Sequence, residues 1–231
     1  DTMAKTPENV RSLLETVWDK ARDRAVEEAS DLSRLIAVAD QNHDLAPWDW
    51  RYYSEKMRSE RYNLNEAELK PYLQLEKMIE AAFHVAERLF GITFHKHDGV
   101  RAWHPDVRVF KVLDAHGKRI AVFLADYFAR SSKRSGAWMS ELQEQHRLTS
   151  HQNSEGQKPI VVNIMNFAKA PAGEPVLITM DDARTLFHEF GHALHGMLSD
   201  VIYPSISGTS VSRDFVELPS QLFEHWLTVP E

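Results

Sequence analysis

The sequence contains no cysteine among its 231 residues. This absence excludes disulfide bonds, and it also excludes metal sites built on thiolates. Histidine, aspartate and glutamate remain as the strong metal ligands, and the chain has 12 histidines. Any metal ion bound by this chain must therefore be held by nitrogen and oxygen atoms.

Basic residues are fewer than acidic ones, and long apolar runs are missing. The chain has 27 lysines and arginines against 34 aspartates and glutamates, a formal net charge of −7, which argues against a nucleic-acid partner. No apolar run approaches the roughly 20 residues of a membrane span, and the first residues do not resemble a signal peptide. Because 43% of the residues are hydrophobic, we expect a folded protein. The missing apolar runs and signal peptide predict that it has no membrane partner and is located in the cytoplasm.

Local patterns predict helices, then strands, then helices again. Thr6 and Pro7 are typical of a helix start, and the apolar residues that follow predict one long helix to about Ala39. We interpret residues 1–231 as a single region that is mainly α with a small antiparallel β-sheet (α+β). Its predicted parts are helices at 6–90, the sheet at about 92–165, with strands at 92–94, 107–113, 120–124 and 160–164, and helices at 179–228.

The third part contains the sequence H-E-F-G-H at residues 188–192, within a predicted amphipathic helix capped by Thr179. Residues four apart are neighbours on a helix, so His188 and His192 can present two imidazole nitrogens to one Zn²⁺. Glu189 lies beside them and can act as a general base toward a water molecule. The motif is short enough to arise by chance, so a third ligand is needed to support the interpretation.

A downstream glutamate is the candidate third ligand. The longer pattern H-E-x-x-H-x-x-G-x-x-H is excluded, because His195 and Leu198 stand where it requires glycine and histidine. Glu217 lies among apolar neighbours, where an uncompensated carboxylate would be costly to bury and a metal ion would offset that cost. We therefore predict one Zn²⁺ per chain, bound by His188, His192 and Glu217.

Three further residues are candidates for supporting this site. Asp214 and Glu224 can share a helix face with Glu217 and accept hydrogen bonds from the ligating imidazoles, although a solvated charge is the alternative for both. His195 follows His192 by three residues. As a fourth ligand it would close the coordination position that hydrolysis needs, so we favour a hydrogen-bonded neighbour.

These residues resemble the thimet-oligopeptidase family of zinc metallopeptidases, and within it the bacterial peptidyl-dipeptidase (dipeptidyl carboxypeptidase) branch. The resemblance implies that His188, His192 and Glu217 are the zinc ligands and that Glu189 is the general base and proton shuttle. It also implies zincin-like catalytic helices in a helical protein with a deep channel that admits short, unfolded peptides. The matching segments are HEFGHALHG at 188–196, SGT at 207–209 and DFVELPSQ at 214–221, with further matches at 3–8, 48–53, 104–107 and 133–139.

The resemblance implies a hydrolase, a carboxypeptidase that releases C-terminal dipeptides from short unfolded oligopeptides. In the implied reaction Glu189 takes a proton from a zinc-activated water, which then attacks the peptide carbonyl. An endo-acting oligopeptidase of the same family is one alternative, and a catalytically silent zinc-binding fragment is another.

Family members are much longer than this chain. The resemblance implies that tyrosines and a histidine beyond the glutamate ligand stabilise the oxyanion and hold the substrate, whereas the last tyrosine here is Tyr203. We therefore expect an internal fragment whose partner is the remainder of the parent peptidase chain, and which hydrolyses peptides slowly when isolated.

Two other segments carry open alternatives. The predicted strand at 160–164 is either an exposed edge that pairs with an extended peptide or a buried strand of the sheet. Arg130, Lys133 and Arg134 form a short basic cluster in an acidic chain. We favour a solvated loop there over a site that binds a peptide carboxylate.

Overall fold

A computed structural model describes residues 3–39, 43–63, 66–149 and 155–229. The chain forms two compact units, Asp1–Glu68 and Leu69–Glu231. Within the described ranges, no helix has both the length and the apolar character needed to cross a membrane. That the whole chain is a single region of a larger catalytic domain stays a prediction.

The first unit is a pair of helices, α1 (Pro7–Val38) and α2 (Trp50–Tyr62). The predicted start of α1 is confirmed, because the side chain of Thr6 accepts a hydrogen bond from the backbone N–H of Asn9 at 3.3 Å. The predicted end near Ala39 is confirmed as well, since Ala39 is the C-terminal cap. A small core of Leu32, Ile36 and Tyr53 holds the two helices together by burial of apolar surface.

The second unit opens with helical segments, of which α4 packs against the sheet. Helix α3 (Glu66–Leu69) straddles the boundary between the units, a 3₁₀ turn follows at Lys70–Tyr72, and α4 (Leu75–Phe90) comes next. Helix α4 ends at Gly91, whose φ of 66° lies in the left-handed region that glycine adopts most readily. Phe83 of α4 packs among other phenylalanines of the core, namely Phe94, Phe110, Phe123 and Phe190.

The sheet has five strands in the spatial order β1-β2-β3-β5-β4. They are β1 (Thr93–Lys96), β2 (Arg108–Leu113), β3 (Arg119–Phe128), β4 (Trp138–Gln143) and β5 (Ile160–Phe167). A turn closed by the Gly117 N–H, which donates to the Asp114 carbonyl, joins β2 to β3.

The fold class, mainly α with a small sheet, is confirmed, but the sheet is mixed rather than wholly antiparallel. Strand β5 runs parallel to β3, whereas the other neighbouring strands pair antiparallel. Burial explains why β5 lies inside the sheet. Its neighbouring residues Val161 and Val162 are buried on opposite faces, so both faces of the strand must be covered. Strand β4, which the sequence analysis did not predict, takes the edge instead.

Two helices complete the unit, α5 (Met180–Met197) and α6 (Glu217–Glu224), with 3₁₀ turns at Pro204–Ile206 and His225–Thr228. Thr179 and Asp182 form a reciprocal capping box at the start of α5. The predicted apolar face of α5 is buried against the sheet, and its members are Leu186, Phe190, Ala193, Leu194 and Met197. Pro219 stands in the first turn of α6, where its missing N–H costs little.

Candidate metal centre

His188, His192 and Glu217 meet at one point between α5 and α6. The two imidazole rings are one helical turn apart, with centroids separated by 4.9 Å. Oε2 of Glu217 lies 3.2 Å from Nε2 of His188 and 3.1 Å from Nε2 of His192. In the described part of the chain, this is the only group of three potential ligand side chains whose donor atoms lie within 4.8 Å of one another.

Gly191 allows the two helices to approach closely enough for this convergence. A Cβ atom at Gly191 would lie 2.7 Å from Cα of Ser220 and 2.9 Å from the carbonyl oxygen of Pro219. Both of these atoms belong to the backbone of α6, which cannot give way as a flexible side chain can. The missing side chain at position 191 therefore lets α6 bring Glu217 to the histidines.

The environment of Glu217 differs from the one that the sequence suggested. Its side chain is 51% exposed, and its apolar neighbours Phe215 and Leu218 are also exposed, so the argument from an expensive buried carboxylate is wrong. The carboxylate is oriented by Ser220, whose hydroxyl donates to Oε2 of Glu217 at 3.0 Å. Ser220 is fully buried, which fixes the position of this donor.

Glu224 is the hydrogen-bond partner of the His188 ring. Its Oε1 is 2.7 Å from Nδ1 of His188, so the other nitrogen of that ring faces Glu217. Asp214 is exposed and lies outside the three-residue group. The Nδ1 atom of His192 is buried and has no hydrogen-bond partner among the described residues, so the structure does not place Asp214 on it.

His195 does not join the three candidate ligands. Its ring packs against Phe215, with centroids 6.2 Å apart, and burial lowers its pKa. The interpretation of His195 as a hydrogen-bonded neighbour is not supported at Nδ1, because that atom is buried without a partner among the described residues.

Glu189 lies next to the group and is only 8% exposed. Burial raises the pKa of its carboxyl group, and the negative charge of Glu217 adds to this effect. The His188 ring and the backbone N–H of Met139 act in the opposite direction. A carboxylate with a raised pKa beside a candidate metal centre has the proton affinity that a general base requires.

The donor set fits a zinc ion. Two imidazole nitrogens and one carboxylate oxygen converge, which matches the three protein ligands of catalytic zinc sites that keep a fourth position open. Burial lowers the pKa of His192 and so favours the neutral imidazole, the form that binds metal. Glu224 fixes the ring of His188 in the orientation that points Nε2 at the centre.

A cleft opens over this group, and its wall is the sheet edge. It is lined by the candidate ligands and Glu189 together with Ala137, Trp138, Met139, Thr209 and Val216. The sequence analysis considered the strand at 160–164 for an exposed edge, but β5 lies inside the sheet and β4 forms the edge. Residues 138–143 show no clean alternation of apolar and polar side chains, so no local pattern predicts this strand. Its position at the edge is known only from the strand order.

The basic cluster is not a solvated loop. Arg130 donates two hydrogen bonds of 2.7 Å to the carboxylate of Asp126, which is fully buried in β3. Lys133 is 5% exposed and binds the same carboxylate at 3.2 Å. Arg134, the third member of the cluster, is exposed, and its guanidinium lies 4.9 Å from the ring centroid of Trp138. The one signal in the sequence was Asp126 itself, a single acid within an apolar strand.

Comparisons with known proteins identify the family that this chain matches. The sequence profile of Peptidase family M3 matches residues 1–231, which confirms the family resemblance carried by the motifs. Dipeptidyl carboxypeptidase of Escherichia coli (strain K12) is 43% identical over 232 residues, which cover 100% of this chain and 33% of that protein. Oligopeptidase A of the same strain is 39% identical over 231 residues, covering 99% of this chain and 33% of that protein.

A plant relative is similar over nearly the same length. Organellar oligopeptidase A, chloroplastic/mitochondrial, of Arabidopsis thaliana is 36% identical over 226 residues, which cover 96% of this chain and 29% of that protein. The chain thus spans about one third of the length of the curated relatives that it matches.

Proposed function

We propose that this chain, which belongs to Peptidase family M3, carries the zinc-binding and water-activating residues of a peptidase that releases dipeptides from the C-terminus of short oligopeptides. The observation that carries the proposal is the convergence of His188, His192 and Glu217 next to the buried carboxylate of Glu189. The dipeptidyl carboxypeptidase that is 43% identical supports the release of dipeptides. The zinc ligands, the general base and the substrate are all parts of this proposal.

The proposed mechanism assigns one task to each side chain. His188, His192 and Glu217 would hold one zinc ion, which supplies Lewis acidity to the water and the peptide carbonyl in the cleft. Glu189 takes the proton from the attacking water and gives it to the amine that leaves. Glu224 keeps the His188 ring in its orientation through the 2.7 Å contact.

Strand β4 would hold the peptide. Because it is the last strand of the sheet, its outer backbone groups can pair with an extended peptide by strand addition. Trp138 and Met139 of β4 line the cleft together with Glu189, so a peptide paired with this edge would pass the candidate general base. Short unfolded oligopeptides, which can adopt this extended form, are therefore the proposed substrates.

The endo-acting alternative has its own support. Oligopeptidase A is 39% identical to this chain, nearly as similar as the dipeptidyl carboxypeptidase. The two alternatives differ in whether the substrate needs a free C-terminal carboxylate. The remainder of a longer peptidase as a partner, and the cytoplasmic location, also remain proposals from the sequence.

Metal analysis combined with two peptides tests the proposal. We expect one zinc per chain, lost in His192→Ala and kept in His84→Ala, a control that replaces an exposed histidine of α4. Turnover is compared between a tetrapeptide with a free carboxylate and its C-terminal amide, in the chain and in any longer peptidase that contains it. Release of a dipeptide from the free acid alone supports the proposal, and equal cleavage of the amide supports the endo-acting alternative. Zinc bound without any cleavage supports the silent fragment, and tight zinc retained in His192→Ala contradicts the ligand assignment.

A further inference from the structure

Among the described residues, four buried side-chain polar atoms lack a hydrogen-bond partner, and two of them are Nδ1 of His192 and Oδ1 of Asn163 in β5. The other two are Nδ1 of His146 and Nδ1 of His195. Asn163 is only 1% exposed. Buried polar groups in proteins are nearly always hydrogen-bonded, so a pair of such atoms requires an explanation.

Strand register pairs Asn163 with the strand residue that contacts Glu189 of α5. Asn163 pairs with Met139 of the edge strand, and the backbone N–H of Met139 binds Glu189. Two residues earlier on β5, Val161 pairs with Glu141 of β4. The Asn163–Met139 pair therefore lies at the level of Glu189 on α5.

The Val161–Glu141 pair lies at the level of Gly196. A Cβ atom at Gly196 would lie 2.7 Å from Oε1 of Glu141 and 3.2 Å from Cγ2 of Val161. Glu189 and Gly196 are three residues before and four residues after His192, so all three share one face of α5. His192 is therefore between the two points at which this face meets β4 and β5.

The side chain of Asn163 points toward this helix face. Side chains two apart on a strand lie on the same side of the sheet, so Asn163 shares its side with Val161 and Met165. Both of these residues belong to the core that contains the buried face of α5. Near this level α5 presents Glu189 and His192, and because an ionised carboxylate only accepts hydrogen bonds, His192 is the one of the two that can donate to Oδ1 of Asn163.

We infer that Asn163 is a positioning residue for His192, accepting through a buried water molecule the hydrogen bond that Nδ1 donates. This inference rests on the proposed zinc site. Nε2 of His192 lies 3.1 Å from Glu217, so a metal held there leaves Nδ1 to carry the proton. Histidine ligands nearly always donate this second N–H, which fixes the tautomer and the ring orientation. His188 has Glu224 for this purpose, and Asn163 serves His192 in the same way.

Zinc affinity, measured by competition with a chelator, tests the inference. Asn163→Leu removes the acceptor at similar volume, and we expect zinc to bind about 10–100-fold more weakly with unchanged stoichiometry. Asn163→Asp keeps an acceptor and should retain most of the affinity. Met165→Leu is the matched control, since it changes an apolar side chain on the same strand and face. Equal affinities of Asn163→Leu and Met165→Leu would overturn the inference.

A measurement on the unmutated chain covers the case in which the variants do not fold. In the zinc-loaded chain labelled with ¹⁵N at histidine, we expect a slowly exchanging Nδ1 proton of His192 with an Overhauser contact to a long-lived bound water molecule, which in turn contacts the side-chain amide of Asn163. A rapidly exchanging proton, or one without this contact, overturns the inference while leaving the zinc site intact. Absence of any zinc binding by the unmutated chain overturns the proposed function and the inference together.

Discussion

Nδ1 of His188 lies 2.7 Å from Oε1 of Glu224, a residue seven positions after the proposed glutamate ligand. This contact joins α5 to α6 and turns the other nitrogen of the His188 ring toward Glu217. Glu224 therefore acts on the candidate metal centre through the orientation of one ligand.

We expect Glu224→Ala to weaken zinc binding by about 10–100-fold, because the His188 ring loses the acceptor that fixes its tautomer. Chelator competition measures the change. Glu87→Ala, which removes an exposed carboxylate at the end of α4, serves as the control and should leave the affinity unchanged. Indistinguishable affinities for the two variants would show that Glu224 does not orient the ligand.

Gly191→Ala should impair both folding and zinc binding. The new Cβ would press on the backbone of α6 at Ser220 and Pro219, and overpacking of this kind costs about 1–3 kcal/mol of unfolding free energy. Because α6 begins with Glu217, its displacement should also weaken zinc binding. Denaturant unfolding and metal titration measure the two effects. Gly99→Ala, whose new Cβ would meet only the ring of His97 at ordinary distances, should change neither quantity.

Glu189→Gln separates zinc binding from chemistry. The amide keeps the shape of the side chain but cannot accept the proton of the attacking water, so turnover should fall by about 10²–10⁴-fold in whichever form of the peptidase is active. Zinc content should remain that of the parent. Glu80→Gln, on an exposed position of α4, controls for the loss of one negative charge. Parallel loss of zinc and turnover would identify Glu189 as a ligand or as a structural residue.

Asp126→Asn should destabilise the second unit strongly. It removes the carboxylate shared by Arg130 and the buried amino group of Lys133, and breaking a buried ion pair costs on the order of 3–5 kcal/mol. Asp98→Asn breaks the exposed pair with Lys96 and should cost at most about 1 kcal/mol. Denaturant unfolding at neutral pH compares the two. Similar losses in both variants would contradict the structural role of Asp126.

The same carboxylate should make stability depend on pH in the acid range. Burial alone would raise the pKa of Asp126, but hydrogen bonds from Arg130, Trp103 and Lys133 outweigh it and lower the pKa below its ordinary value of 3.8. A carboxyl group with a lowered pKa in the folded state contributes its stability above the unfolded pKa, and this contribution is lost as the pH falls through the folded value. The difference in unfolding free energy between the parent and Asp126→Asn should therefore be constant above about pH 5 and shrink below about pH 4. A difference that stays constant down to pH 2 would exclude this origin.

The helical parts of the fold and the H-E-x-x-H helix were predictable because their signals are local. Thr179 caps α5, and the spacing of His188 and His192 is set by the pitch of a single helix. The sheet was harder, because β4 carries a mixed pattern and β5 pairs with strands that are distant in sequence. Register and strand order follow from burial across the whole unit, which no local window contains.

The sequence by itself determined which side chains can bind a metal and which helix presents two of them, since both follow from residue type and helical spacing. The identity of Glu217 as the third converging residue was also predictable, although the reason given, burial among apolar neighbours, was wrong. Only the tertiary structure decided that Glu224 rather than Asp214 partners His188, that β4 forms the sheet edge, and that Asn163 lies on the side of the sheet against which α5 packs. These relationships join elements far apart in the chain, and close packing through Gly191 and across the β4–β5 register sets them.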